Sequence, residues 1–192
     1  VSCIWDKIII NQVKTNRNRW MEGMSIKEIS DKLSLSEIEF LFKIVLEEEG
    51  NINIICFTMS EDSVKTFLKE KISFIGTDGL PGRRPHPRLF GGFPRVIRKY
   101  VKEEKLLTLQ EAIYKMSEGP AEKLGLKNRG KIKEGYYADI VIFDFNKIED
   151  CATYKKPTIP PKGIKYVIVN GKVVILNGKF TGQTPGEVIL KV

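Results

Sequence analysis

With 192 residues, 42% of them apolar, and a net charge of +8, the chain has the composition of a folded globular protein able to bury one good core or two small ones. That apolar content argues against disorder, and no stretch approaches the ~18 apolar residues of a membrane-spanning helix, so a cytoplasmic location without a membrane partner is expected. Cys3, Cys56 and Cys151 are odd in number and lack CxxC or Cys/His ligand spacing, so all three are read as reduced thiols.

The chain opens on Trp5-Asp-Lys-Ile-Ile-Ile10, a strand entered without a leader, which suggests that it begins inside a larger protein. Ser25 to Glu28 has capping-box spacing, and Ile26, Ile29 and Leu33 fall on one helical face. Ser36 caps a second helix over residues 37–49, with Ile38, Leu41, Phe42, Val45 and Leu46 as its apolar stripe and Gly50 as its stop. A strand over 52–57, a helix over 61–68 and a strand over 72–75 follow. Near-continuous apolar runs alternating with helices predict βα units, a parallel sheet and strands covered on both faces.

Residues 76–94 form a long loop rich in Gly, Pro and Arg, the kind that carries function. A helix over 95–104 leads to another from about Thr108, which Gly119-Pro120 should break. From Gly130 the pattern turns to short β runs, at 138–143, 166–169 and 173–176, with Asn170-Gly171 as a hairpin turn. The boundary between an α/β part, residues 1–128, and a β part, residues 129–192, is placed at the turn Asn128-Arg-Gly130.

The chemistry-bearing residues cluster around the long loop. Asp78 ends Ile72-Ser-Phe-Ile-Gly-Thr-Asp-Gly79, and at the carboxyl end of a barrel strand such an acid is a catalytic candidate, the alternative being a plain Asp-Gly turn. His86, the only histidine, either serves the substrate or is simply held between Pro85 and Pro87; alone it cannot build a zinc site of three or four protein ligands. Arg83, Arg84 and Arg88 offer forked donors for a carboxylate. Met59, just past a strand, lines an apolar pocket or fills core.

Residues 79–105 carry eight Lys and Arg against two Glu, so the positive charge is mostly one segment. A nucleic-acid partner is not expected. The stretch 25–36 looks superficially like a helix-turn-helix, but its would-be recognition helix presents Glu37, Glu39 and Glu47 to Glu49 toward phosphates.

Gly76-Thr-Asp-Gly79 followed by His86-Pro-Arg88, Phe93-Pro-Arg95, Tyr100-Val-Lys-Glu103 and Leu107-Thr-Leu109 resembles the D-aminoacylase, or N-acyl-D-amino-acid deacylase, branch of the amidohydrolase superfamily. Gly130-Lys-Ile-Lys-Glu-Gly-Tyr-Tyr-Ala-Asp-Ile-Val-Ile-Phe-Asp144 and Val167-Ile-Val-Asn-Gly171 resemble its closing β segment. The resemblance covers nearly the whole chain and is tightest over residues 73–186. It implies an α/β fold made of the last βα units of a metal-dependent-hydrolase (β/α)8 barrel, followed by a segment of a small β-sandwich. It also implies a zinc enzyme that hydrolyses the amide bond of N-acyl-D-amino acids, with Asp78 as the proton-carrying carboxylate and a possible metal ligand. Met59, His86 and Arg88 are the expected substrate-binding residues. The family's metal-binding histidines belong to earlier strands and have no match here. The chain is therefore expected to need the missing N-terminal barrel portion as its partner, and to bind no zinc and hydrolyse no amide alone. A dihydropyrimidinase-like amidohydrolase and a non-catalytic assembly remnant are the alternatives.

Overall fold

The computed structural model describes residues 4–190, so Cys3 lies outside the described residues, while Cys56 and Cys151 are free thiols. The described chain divides into two compact units, residues 4–60 with 81–86, and residues 61–80 with 87–190.

In the first unit a 3₁₀ turn, Trp5–Lys7, precedes strand β1, Ile8–Gln12, and a longer 3₁₀ segment, Asn16–Met21. Helices α1, Ile26–Leu33, and α2, Glu37–Glu47, each start on a complete capping box, Ser25 with Glu28 and Ser36 with Glu39. These reciprocal bonds satisfy amides that the first helical turn leaves without partners. Strand β2, Asn53–Cys56, then pairs with β1 in antiparallel register, Ile9 opposite Ile55. The expected parallel pairing is thus corrected. The two helices α1 and α2 lie between these strands in the chain, and β2 returns alongside β1 in the reverse direction.

Ile10, Val13, Met21, Ile26, Ile29, Phe40 and Ile44 form the core of this unit. The stripe expected on α2 is corrected as well: Phe40 and Ile44 are buried, whereas Ile38, Phe42, Val45 and Leu46 are exposed. This helix is apolar around most of its circumference and only one side meets the core. In β2, Ile54 and Cys56 are exposed, so the strand is not covered on both faces.

Glu48, just past α2, is fully buried. Its carboxylate accepts hydrogen bonds from the backbone amides of Lys14 (2.6 Å) and Thr15 (2.7 Å), the Thr15 hydroxyl and the Asn18 side-chain amide (2.6 Å). Burial works to raise its pKa, but these donors outweigh it and hold the carboxyl below its ordinary value.

The second unit carries α3, Glu61–Lys69, α4, Arg88–Arg95, a π-helical segment, Val96–Glu103, α5, Leu109–Met116, and α6, Glu118–Leu124. Thr108 and Glu111 form the capping box of α5. The break comes at Ser117, in a non-helical conformation, and not at Gly119-Pro120, which lie in the first turn of α6 where proline is tolerated. Val96, Tyr100, Val101, Leu107 and Ala112 form the core. The Tyr100 hydroxyl donates to Glu61 (2.7 Å), and burial together with that acid pushes its pKa far up.

A four-stranded antiparallel sheet follows in the order β3, Ile140–Phe143, β4, Ile164–Val169, β5, Lys172–Leu176, and β6, Lys179–Phe180. Asn170-Gly171 and Asn177-Gly178 both have positive φ, as two-residue hairpin turns require. Asp139 accepts the Asn170 amide (2.8 Å) and pairs with Arg129, whose guanidinium lies 4.0 Å from the centroid of the Tyr137 ring. Asp139 thus anchors the turn that begins at Asn170.

Because the Glu48 carboxyl is depressed in the folded state, ionisation of this group stabilises the fold. That contribution is fully present above its ordinary pKa of 4.5 and is lost as pH falls through the lower folded value. Glu48→Gln removes this part of the acid sensitivity and turns an amide NH₂ toward other donors. It is expected to cost about 2 to 3 kcal/mol in urea unfolding at pH 7; a variant as stable as the parent contradicts the assignment.

Candidate active site

Residues 72–75, expected as a strand, pair with no strand among the described residues. Helix edges hold them instead. The Ile75 amide donates to the Lys115 carbonyl at the end of α5 (3.0 Å), and the Phe74 ring packs against Tyr114 and over Gly119, where a Cβ would approach the ring to 2.5 Å. A strand needs neighbours for its backbone groups, and here helical carbonyls and side chains take their place.

Three residues on, Asp78 adopts a left-handed conformation (φ 44°), which Asp tolerates better than most residues. Gly79 then passes so close to α4 that a Cβ would meet Leu89 at 2.7 to 3.0 Å. Arg88, the first residue of α4, reaches back. Its Nε and Nη2 donate to the Asp78 carbonyl (3.1 and 2.7 Å), and Nη2 also donates to Asp78 Oδ2 (2.6 Å). One guanidinium therefore fixes both the backbone and the carboxylate of Asp78. The Asp78 side chain remains 88% exposed. Its Oδ1 accepts no hydrogen bond among the described residues, so a metal ion or a water has access to it.

The other loop residues are fixed within the first unit. Arg83 pairs with Glu22, whose side chain is only 6% exposed. Burial works to raise the Glu22 pKa, but the Arg83 hydrogen bond and the Val13 amide outweigh it and hold the carboxyl below its ordinary value. The Arg84 amide donates to Gln12 Oε1 (3.2 Å), its carbonyl accepts from Asn11, and its Nε is buried without a hydrogen-bond partner. His86 is half-buried between buried Pro85 and Pro87. Met59 is 67% exposed and does not fill core. Of the residues singled out from sequence, the structure brings Asp78 and Arg88 together in the second unit, while Met59 and His86 belong to the first.

Two anchors were not legible beforehand. Glu22 takes Arg83, and the Asp150 carboxylate, its side chain 8% exposed, takes both Arg95 and Arg98. The Asp150 hydrogen bond, with Glu103 beside it, raises the Arg98 pKa above its ordinary value. Neither acid has a local pattern that marks it. Among the described residues no group of three or more His, Cys, Asp and Glu is placed to hold a metal ion, and no helix is long and apolar enough to cross a membrane.

Residues 35–175 match the model of the Amidohydrolase family. The D-aminoacylase of Alcaligenes xylosoxydans xylosoxydans is 37% identical over 172 residues, which is 89% of this chain and 34% of that protein. The N-acyl-D-glutamate deacylase of the same organism is 44% identical over 136 residues, 70% of this chain and 28% of that one. The solved N-acyl-D-glutamate deacylase from Bordetella bronchiseptica, complexed with zinc and a phosphonate that mimics the tetrahedral intermediate, matches with a TM-score of 0.82 at 33% identity. That match covers 95% of this chain and 36% of that structure. The chain thus spans about a third of the length of these relatives.

Two glycines test the packing that sets the Asp78 turn. Gly79→Ala forces a Cβ into Leu89 and its backbone and is expected to cost about 1 to 3 kcal/mol. Gly92→Ala, on α4, meets only ordinary contacts at 3.5 to 4.0 Å and is expected to be neutral or slightly stabilising. Thermal unfolding of the two variants checks this, and equal effects would contradict it.

Proposed function

This chain belongs to the amidohydrolase family, and on that footing we propose that it is the C-terminal portion of a zinc-dependent N-acyl-D-amino-acid deacylase of the cytoplasm, with Asp78 as its proton-carrying carboxylate. In this reading residues 1–128 are the last βα units of the barrel and residues 129–192 a segment of the small β-sandwich. The observation that carries it is the Asp78 turn: an acid held by Arg88 with one carboxylate oxygen open, in a chain that spans a third of metal-binding deacylases. The exposed apolar side of α2, with Phe42 and Leu46, supports it too, since a further part of the enzyme would cover that surface.

The residues present do not make a zinc site. Asp78 offers one open oxygen and His86 is the only histidine, so the remaining ligands are assigned to the other part of the enzyme. In such enzymes zinc polarises the amide carbonyl and acidifies the attacking water.

The chain's own residues then have definite tasks. Asp78 takes the proton from the water as its oxygen bonds to the carbonyl carbon, then delivers that proton to the amine nitrogen as the C–N bond breaks, releasing an acid and a D-amino acid. Arg88 sets the aim of Asp78. The ion pair itself is solvent-exposed and worth only about 0 to 1 kcal/mol, so the guanidinium can also share the carboxylate of the substrate while its bonds to the Asp78 carbonyl hold the turn. Met59 and His86 are assigned to substrate binding, Met59 as a flexible apolar wall and His86 as a polar contact from a proline-stiffened loop.

The 192-residue chain alone is expected to bind no stoichiometric zinc and to release no acid from N-acyl-D-amino acids. Replacing the matching third of the Alcaligenes D-aminoacylase by this chain is expected to give an active zinc enzyme. Asp78→Asn in that chimera should lower kcat by about 10² to 10⁴ with zinc retained. Tight one-to-one zinc with hydrolysis by the chain alone overturns the two-part reading, and an Asp78→Asn enzyme of undiminished kcat overturns the role of Asp78.

A further inference from the structure

Lys115 lies in the last turn of α5 with only 5% of its surface exposed; among the described residues no carboxylate forms an ion pair with it, although, after the Thr108 hydrogen bonds, its charge helps to lower the Glu111 pKa one turn back. Lysine is rarely buried unless its charge is matched, and a methionine would fill the same space. The ammonium is instead aimed at three neutral oxygens of one short segment: the Glu70 carbonyl, the Ser73 carbonyl (3.0 Å) and the Ser73 hydroxyl (3.2 Å). Glu70 directly follows α3, so its carbonyl belongs to the negative end of that helix, where a cation is favoured. The backbone of the same lysine completes the grip, its carbonyl accepting the Ile75 amide (3.0 Å). Phe74 is meanwhile trapped against Tyr114 and Gly119. One residue thus secures residues 70 to 75 by both its side chain and its main chain. Asp78 follows three residues later, and Arg88 holds it from the other side.

We propose that Lys115 is a positioning residue for Asp78: gripping residues 70–75 by side chain and main chain, it sets where the carboxylate that follows them sits. The assignment rests on the reading of Asp78 given above. Losing the ammonium removes the donor to the Ser73 carbonyl and leaves the Glu70 carbonyl to the Ser73 amide and hydroxyl alone, which loosens the run up to residue 75. A displacement of about 1 Å at a catalytic group is enough to cost about 100-fold in rate.

The test is Lys115→Met, measured in two ways. By amide hydrogen exchange on the 192-residue chain, the Ile75 amide is expected to lose protection by about 10-fold or more, while Ile29 and Phe40 in the first unit keep theirs. In the D-aminoacylase chimera kcat is expected to fall by about 100-fold, with KM and zinc content unchanged. Lys115→Ala is expected to regain part of that kcat on adding ethylammonium. If Asp78→Asn abolishes turnover but Lys115→Met does not lower kcat, the positioning role is wrong and the Asp78 reading stands. If Asp78→Asn leaves turnover intact, the Asp78 reading itself has failed. Should Lys115→Met fail to fold, exchange on the parent chain decides: Ile75 is expected to be as protected as the amides inside α5, and exchange as fast as the exposed loop around Gly82 overturns the proposal.

Discussion

A single guanidinium organises the part of this chain where chemistry is placed. Arg88 gives two hydrogen bonds to the Asp78 carbonyl and one to its carboxylate, and this is possible only because Gly79 lets the backbone run against Leu89. The left-handed turn at Asp78, the start of α4 and the direction of the carboxylate are therefore one coupled arrangement. The ion pair is exposed and weak by itself, so its value lies in orientation and not in stability.

The same logic disposes of the basic segment. Five of its eight cations are paired with acids of the same unit: Arg83 with Glu22, Arg88 with Asp78, Arg95 and Arg98 with Asp150, and Lys99 with Glu61. A surface that binds a polyanion keeps its cations in a solvated stripe. Here Glu22 and Asp150 are almost fully covered, and the charges act as fasteners for the loop and for the helical stretch after it.

What the sequence made legible is what is decided locally. Ser25, Ser36 and Thr108 each announce a capping box because donor and acceptor are three residues apart. Asn170-Gly171 announces its hairpin because only a few residues tolerate positive φ. The apolar run at 72–75 reads as a strand, yet Ile72 is exposed and the run is held by helix edges, because apolarity alone does not say what a segment packs against. Only Lys115, some forty residues on, decides that. The antiparallel order of β1 and β2 and the anchoring by Glu48 depend on equally distant partners. Asp78 and Arg88 could be read together because they sit ten residues apart in the stretch that carries the family resemblance, whereas Glu22, Asp150 and Lys115 carry no motif.

The central claim is that Asp78, aimed by Arg88, is the base that takes a proton from water. The most direct measurement is the pH dependence of kcat/KM in the D-aminoacylase chimera carrying this chain. A carboxylate base gives an acid limb that reports its ionisation in the free enzyme. The account predicts that this limb is present with Asp78 and absent from the residual activity of Asp78→Asn; an identical acid limb in both enzymes contradicts it.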